Sequence, residues 1–363
     1  MNKILRFPLR PYTRAHFGEL KIDHDLALND SGEFAHSDTL FSALVHSYAK
    51  SPNEVDTENF INYFKNNDIK ISSLFYYLKN NEKHIYFLPK PVSLGLSDSK
   101  EGGRHKDRNR IAYVSVGVWK DGFVNVDFLS DRYVILQKKF VITQDEYKAL
   151  ALTDTDCEKL QIVTKVSNPK SPQRGPEGSG IYYQTDIQIA GKPNYKGTGA
   201  TDDFEIGWYF LYQAEGDAGR DLRKAASIMA YTGIGGEISH TGRTPDRAPE
   251  ADTLELDMGE TNEHCSLSLI NPTPDEFKNI THYRTTLRGG RPIRHRSKED
   301  KKDLTKKELE KDTAQIVRMI REGAILTNST VTGQMPELGT DLNGNIIYRN
   351  GKAFLLPCKL PNP

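Results

Sequence analysis

Most apolar residues in this chain alternate with polar ones over short runs, and only a few stretches place them at helical spacing. Period two belongs to half-buried strands and period 3.6 to amphipathic helices. The pattern therefore restricts the fold to α+β, with more strands than helices. The clearest helix covers 39–48, where Leu40, Phe41, Leu44, Val45 and Tyr48 share a face. Ser37 or Asp38 is the expected N-cap. A short helix is expected over 59–67, and another over 222–231 with Leu222, Ala225, Ala226 and Met229 as its apolar face.

Strands are expected at the N-terminus, where Phe7 and Leu9 oppose Arg6 and Arg10, and over 20–28, 71–79, 85–88 and 133–142. Two more, 111–119 and 123–128, would form a hairpin across the turn Lys120-Asp-Gly122. Later strands are expected at 181–189, 206–214, 254–258 and 265–270, with a closing pair over 346–356 around Asn350-Gly351. The segment 273–277 reads as a turn or short helix. Segments 168–180 and 239–252 read as loops, and 298–311 is nearly all charge.

At 363 residues the chain exceeds one small core, which divides it in expectation into domains 1–150 and 151–363. No run approaches the roughly 20 apolar residues of a membrane span, and the opening residues lack a signal-peptide pattern. A cytoplasmic protein with no membrane partner is expected. Cys157, Cys265 and Cys358 have no metal-ligand spacing and read as packed thiols.

The chain carries 49 basic and 49 acidic residues, which argues against coating nucleic acid by bulk charge but leaves room for local basic patches. Arg284, Arg288, Arg291, Arg294, Arg296 and Lys298 form one such run without an acid; Arg104-His-Lys-Asp-Arg-Asn-Arg110, after the turn Gly102-Gly103, forms a smaller one. Each could contact RNA or be a solvated loop.

His16, in Arg14-Ala-His-Phe-Gly18, has three readings. It could be a general base on an RNA 2′-hydroxyl, with Tyr12 or Arg14 in support; a polar histidine packed beside a turn; or a nucleotide contact. His36-Ser37-Asp38 has no companion cluster for a metal, and capping accounts for it. The most informative segment is Gly233-Ile-Gly-Gly-Glu-Ile-Ser-His-Thr-Gly-Arg243. Its glycines permit positive φ and close backbone approach, its N–H groups could hold phosphate oxygens, and Arg243 adds charge. It follows a helix and lacks the Lys-Ser/Thr of a P-loop.

The His16-Phe-Gly18 segment, the Ser37-Asp-Thr-Leu-Phe-Ser-Ala-Leu44 helix, the glycine loop and the ending Tyr348-Arg-Asn-Gly-Lys-Ala-Phe-Leu-Leu-Pro357 together resemble the RAMP proteins of type III-A CRISPR systems. The likeness is to the family of the fourth Csm subunit, at the foot of the effector complex. That resemblance implies two ferredoxin-like, RRM-type domains with antiparallel sheets, the second carrying the glycine loop (233–243) and a charged insertion (297–312). It implies a non-catalytic subunit, without cofactor or metal, that binds the repeat-derived 5′ tag of the crRNA. It implies docking to the large polymerase-like subunit and to a backbone RAMP subunit, and indirect contact with target RNA.

Gly233, Gly235, Gly236, Ser239 and Gly242 match the family's glycine loop. Arg174 stands where relatives hold an arginine near the guide. Glu237 and Ile238 depart, standing where relatives carry a basic or small polar residue. The resemblance also makes 316–326 extended, where periodicity alone tolerates a helix through Ile320. Phe17, Tyr182 and Tyr183 could stack on bases, and His16, Phe17, Gly18 and Arg243 complete the expected RNA-binding set. The rival readings are a metal-independent RAMP endoribonuclease processing precursor crRNA with His16 as base, and a scaffold that never touches RNA.

Overall fold

The computed structural model describes residues 2–361 apart from 20–29, 53–54, 96–101, 152–159, 171–181, 190–203, 237–247, 260, 262, 291–313 and 342–343. In chain order, β1 (Asn2–Pro8) and β2 (Arg14–Ala15) precede helices α1 (Ser37–Ala49) and α2 (Thr57–Lys65). Next come β3 (Lys70–Ile71), β4 (Phe75–Asn80), β5 (Lys83–Pro89), α3 (Gly102–Arg110), β6 (Tyr113–Ser115) and α4 (Val116–Asp121). β7 (Tyr133–Leu136), β8 (Phe140–Thr143) and α5 (Gln144–Leu150) lead to the antiparallel pair β9 (Val163–Lys170) and β10 (Tyr182–Ile189). β11 (Glu205–Gln213), α6 (Gly216–Thr232) and β12 (Glu250–Leu254) follow.

These elements build a nine-stranded sheet in the order β12-β1-β11-β4-β5-β6-β8-β7, with β3 added beside β11. Within it, β1, α1, β4, β11, α6 and β12 make a β-α-β-β-α-β unit whose strands lie fourth, first, third, second, all antiparallel. Residues 81–204 are inserted between its two middle strands and extend the sheet through β5, β6, β8 and β7. Strands from both sides of residue 150 share this sheet, so the division expected there does not follow the pairing.

The central strand β11 reads Glu-Ile-Gly-Trp-Tyr-Phe-Leu-Tyr-Gln and is buried along almost its whole length. Trp208, Phe210 and Tyr212 face α1 and α6, with Leu40, Leu44, Leu222, Ala226 and Met229 in one core. Tyr209 and Leu211 face the other way, into a core with Cys265, Leu267, Ile325, Phe354 and Leu356. β4 alternates likewise: Tyr76 and Leu78 point to the first core, Phe75 and Tyr77 to the second. A near-continuous apolar run is what a strand covered on both faces requires.

The second core is closed by the C-terminal part of the chain. β13 (His264–Ser266), α7 (Pro274–Phe277), β14 (Ile280–His282), β15 (Thr285–Gly290), β16 (Ala314–Ile320) and β17 (Ile325–Leu326) run first. β18 (Gly333–Gln334), β19 (Glu337–Thr340), β20 (Ile346–Tyr348), β21 (Gly351–Lys352) and β22 (Leu355–Pro357) end it. Its sheet has the order β14-β17-β13-β22, and β15-β16, β18-β21 and β19-β20 form separate antiparallel pairs.

Several expectations are corrected. Val116–Asp121 is helical, capped by the Ser115 side chain on Val118 N–H, and 123–128 forms no strand, so the hairpin expected there is absent. Residues 133–142 form two paired strands instead of one. Gly102 and Gly103 open α3 instead of a turn. Residues 168–170 complete β9, and 250–252 belong to β12, where loops were expected. The strand expected at 254–258 ends at Leu254, and that at 265–270 ends at Ser266. β20 and β22 do not pair with each other; their partners are β19 and β13. The extended segment 316–326 implied by the family likeness is two strands, 314–320 and 325–326, separated by a turn at Glu322-Gly323. The extended piece at 20–28 and the charged stretch 298–311 lie outside the described residues.

Candidate RNA interface at the glycine turn

Helix α6 ends where its backbone can no longer continue in the right-handed region. Gly233 has φ of 86° and donates its N–H to Met229 O at 2.8 Å. Ile234 is buried and pins the turn to the helical core. Gly235 follows with φ of 100°, and Gly236 N–H donates to His16 O at 2.8 Å. A Cβ on Gly235 would lie 2.5 Å from His16 O, and one on Gly236 3.0 Å from His16 Cδ2. These two glycines exist because the turn lies directly against the chain leaving β2.

His16 is itself buried, at 4% exposure. Its Nδ1 is 2.9 Å from the Thr185 carbonyl oxygen, so that nitrogen carries the proton and donates. Asp186 Oδ1 stands 3.5 Å from the same nitrogen. Asp186 is also buried, and accepts from Gln184 Nε2 at 3.0 Å and Asn168 Nδ2 at 3.2 Å. Phe17 is buried against Trp208, with ring centres 5.9 Å apart, and its N–H donates to Ser31 Oγ. Gly18 forms a bridge with Ser31 and is exposed.

The structure thus brings His16, Phe17, Gly18, Gly233, Gly235 and Gly236 together, but not in the roles expected of all of them. Phe17 is core and cannot stack on a base, whereas Tyr183 is 62% exposed. Two of the turn's N–H groups are engaged within the protein, so the simple phosphate cradle read from the glycines is corrected. The turn holds the floor of the site. Arg174, Ser239, Gly242 and Arg243, like Glu237 and Ile238, lie outside the described residues; so does the side chain of Tyr182.

The exposed layer above this floor belongs to β2, β9 and β10, which form a three-stranded sheet. Arg14 lies opposite Gln188 in register, and is exposed. Its Nε donates to Gln188 Oε1 at 3.2 Å and its Nη1 to Asn168 Oδ1 at 3.0 Å. The guanidinium is therefore aimed by two neutral acceptors and forms no ion pair among the described residues. An oriented cation over a rigid floor suits a single strand held by phosphate contact, whereas Tyr183, at odd spacing from Gln188 along β10, stands on the other face of that strand. The half-buried Asn168 and the buried Asp186 were hidden in the sequence, since polar residues in an alternating strand read as its solvent face.

The helix-capping expectation is also corrected. His36 occupies the N-cap of α1 without a side-chain bond to the helix backbone, while Ser37 Oγ accepts from Leu269 N–H. Asp38 is fully buried and pairs with Arg288 through two bonds of 2.8 and 3.0 Å, and with Arg349 at 3.3 Å. Burial pushes the Asp38 carboxyl up, but the two guanidinium groups more than offset this and hold it well below the usual range. Beside it, His36 Nδ1 donates to Glu322 at 2.8 Å, and Ser73 Oγ also donates to Glu322. Arg288 therefore cannot serve as part of a surface basic run. Among the described residues no cluster could hold a metal ion. Cys265 and Cys358 are buried with their thiols pushed up by burial.

Comparison with known proteins adds the following. The family of the CRISPR Csm4 C-terminal domain matches residues 259–358. A protein of Methanocaldococcus jannaschii described as CRISPR system Cms protein Csm4 is 30% identical over 147 residues, covering 38% of this chain and 36% of that protein. The chain thus matches about a third of that relative's length. Among solved structures, a chain of a Csm3-Csm4 subcomplex from the type III-A CRISPR-Cas interference complex aligns with a TM-score of 0.65 and 21% identity, covering all of both chains. A chain of a Csm1-Csm4 cassette in complex with cA4 aligns at 0.56 and 17% identity, over 99% of this chain and 100% of that one. At these identities the structural likeness is one of fold. No helix among the described residues is long and apolar enough to cross a membrane.

Proposed function

We propose that the chain is a member of the Csm4 family of type III-A CRISPR RAMP proteins, on the strength of the family match over residues 259–358 and the likeness to a Csm4 relative, and that it is the subunit holding the 5′ tag of the crRNA. It would do so as a non-catalytic component joined to a large Csm1-type subunit and a Csm3-type backbone subunit, the company its structural relatives keep. Residues 2–254, with their fourth-first-third-second strand order, would be one ferredoxin-like domain enclosing a long insertion. The C-terminal part would be the second unit.

The observation that carries this reading is the lock between Gly235-Gly236 and His16-Phe17 next to the exposed Arg14. A single-stranded tag has no groove to read, so it is gripped by charge and stacking on a rigid floor. The test is co-purification of the tagged protein from cells carrying its CRISPR locus, scoring bound RNA of a defined 5′ end and associated subunits. Arg14→Glu combined with Tyr183→Ala should lose the tag crosslink while keeping the subunits. An unchanged crosslink would leave the scaffold reading in place.

One observation favours a second reading. Asp186 stands beside the His16 imidazole as a carboxylate stands beside a catalytic base. A base must reach the proton it takes, and here Nδ1 is committed to a carbonyl and the ring is buried. Incubation with repeat RNA in EDTA separates the two: cleavage abolished by His16→Ala would establish the nuclease.

A further inference from the structure

We propose that the cleft between the two basic segments of the chain is a second anion site, which binds phosphate groups through Lys90, Arg284 and Arg321. The cleft has a volume of about 200 Å3 and is lined by these three cations, by Asn109 on α3, and by Phe34 and Tyr113. It stands apart from the residues of the glycine turn and does not rest on the tag-binding reading.

The three cations come from separate segments tied together by backbone bonds. Arg321 N–H donates to Arg284 O at 2.8 Å, Val92 N–H to Gly323 O at 2.9 Å, and Lys90 N–H to Ala112 O at 2.9 Å. Gly323 has φ of 87°, and a Cβ there would lie 2.8 Å from Lys90 O. The segments carrying Lys90 and Arg321 are thus clamped at a distance only glycine permits.

The charges so gathered are poorly compensated. Lys90 Nζ donates to the Arg108 carbonyl at 2.9 Å and forms no ion pair among the described residues. Arg284 is exposed and likewise has no carboxylate within ion-pair distance among them. Arg321 reaches Glu19 only at 3.9 Å. The one carboxylate on the lining, Glu322, is turned to His36 and Ser73. Burial, and then the facing Arg284, push the Lys90 ammonium down to about 8. Like charges held this way are relieved by an anion between them, and arginine forks match phosphate oxygens. The aromatic edges of Phe34 and Tyr113 give the cleft one apolar wall.

Such a phosphate could belong to an RNA strand or to a free polyphosphate. Titration calorimetry on the intact chain with an eight-nucleotide single-stranded RNA and with pyrophosphate distinguishes them. Wild type is compared with Arg284→Gln, with Arg284→Gln plus Arg321→Gln, and with Arg14→Gln, folding being checked by circular dichroism. Arg284 is exposed, so the single variant reads the site even if the double variant is unstable.

If the source is a strand, the double variant binds RNA about tenfold more weakly, and its log affinity falls with log salt by about 0.7 less per cation removed. If it is a free polyphosphate, only the pyrophosphate affinity drops. Wild type that binds neither probe, or variants that bind both as wild type does, overturn the proposal. Loss with Arg14→Gln alone would sink this cleft and keep the glycine-turn reading; loss with the Arg284 variants alone would do the reverse.

Discussion

Asp38 lies fully buried between Arg288 and Arg349, so removing its charge leaves two cations in the interior. Asp38→Asn should cost about 3–5 kcal/mol, measured by denaturant unfolding. A loss below about 1 kcal/mol would mean that the arginines find water. The Ser37-Asp38 pair was legible as a special place in the sequence, but as a cap, because capping is local and its true partners lie some 250 and 311 residues away. Gly235 is legible in the sequence as a position of special backbone freedom, but the contact that demands it is not. Its φ of 100° and its contact with His16 O make Gly235→Ala strained twice over. A loss of about 1–3 kcal/mol is expected, read as a lower unfolding midpoint with wild-type secondary structure. Equal midpoints would show that the turn relaxes freely.

Elements whose burial repeats with their own period were legible. α1 and α6 declare an apolar face at helical spacing, and β10 alternates as a half-buried strand. α4 was misread because Val116, Val118 and Trp119 satisfy a strand and one helical turn equally over so short a run. The decision came from Ser115, whose side chain caps the helix. Residues 346–356 misled in another way: three strands were there, each with a partner that no local turn reveals. The candidate interface was half legible for the same reason. The glycines and His16 could be named, whereas Asn168 and Asp186 acquire their role only when β9 and β10 meet β2. On this element the exposed ring of Tyr183 would be the stacking surface under the proposed reading. Tyr183→Ala should weaken tag RNA about tenfold, within the roughly 1–3 kcal/mol that one stacked base is worth, with unchanged stability. Filter binding with a fluorescent tag oligonucleotide checks it, and unaltered affinity would remove the β9–β10 face from the interface.

At the scale of the molecule, β4 and β11 give one face to each of two cores. Neither half can lose its packing without stripping the shared strands. Thermal unfolding should therefore be a single transition followed identically by tryptophan fluorescence and far-ultraviolet circular dichroism; two separated midpoints would show independent units. The buried carboxylates set its acid limit. Burial raises Glu322, but His36 and then the bond from Ser73 outweigh it, so its carboxyl, like that of Asp38, is held below its ordinary value. The unfolded chain then takes up protons the folded one refuses. Stability from these groups is complete above their ordinary values of 4.5 and 3.8 and falls as pH drops through and below them. Denaturant midpoints that stay constant from pH 6 to about 3 would contradict this.

The placement of β1 carries a consequence for how the protein is made. Lys3 pairs with Tyr212 on one side and Thr253 on the other, so β1 leaves the ribosome long before β11, the earlier made of its two neighbours. At about 5–20 residues per second this delay is on the order of 10–40 s, during which an apolar edge stays open. The nascent chain is therefore at its most vulnerable before Gln213 is synthesised, and a chaperone or an early-arriving partner subunit would act there to greatest effect.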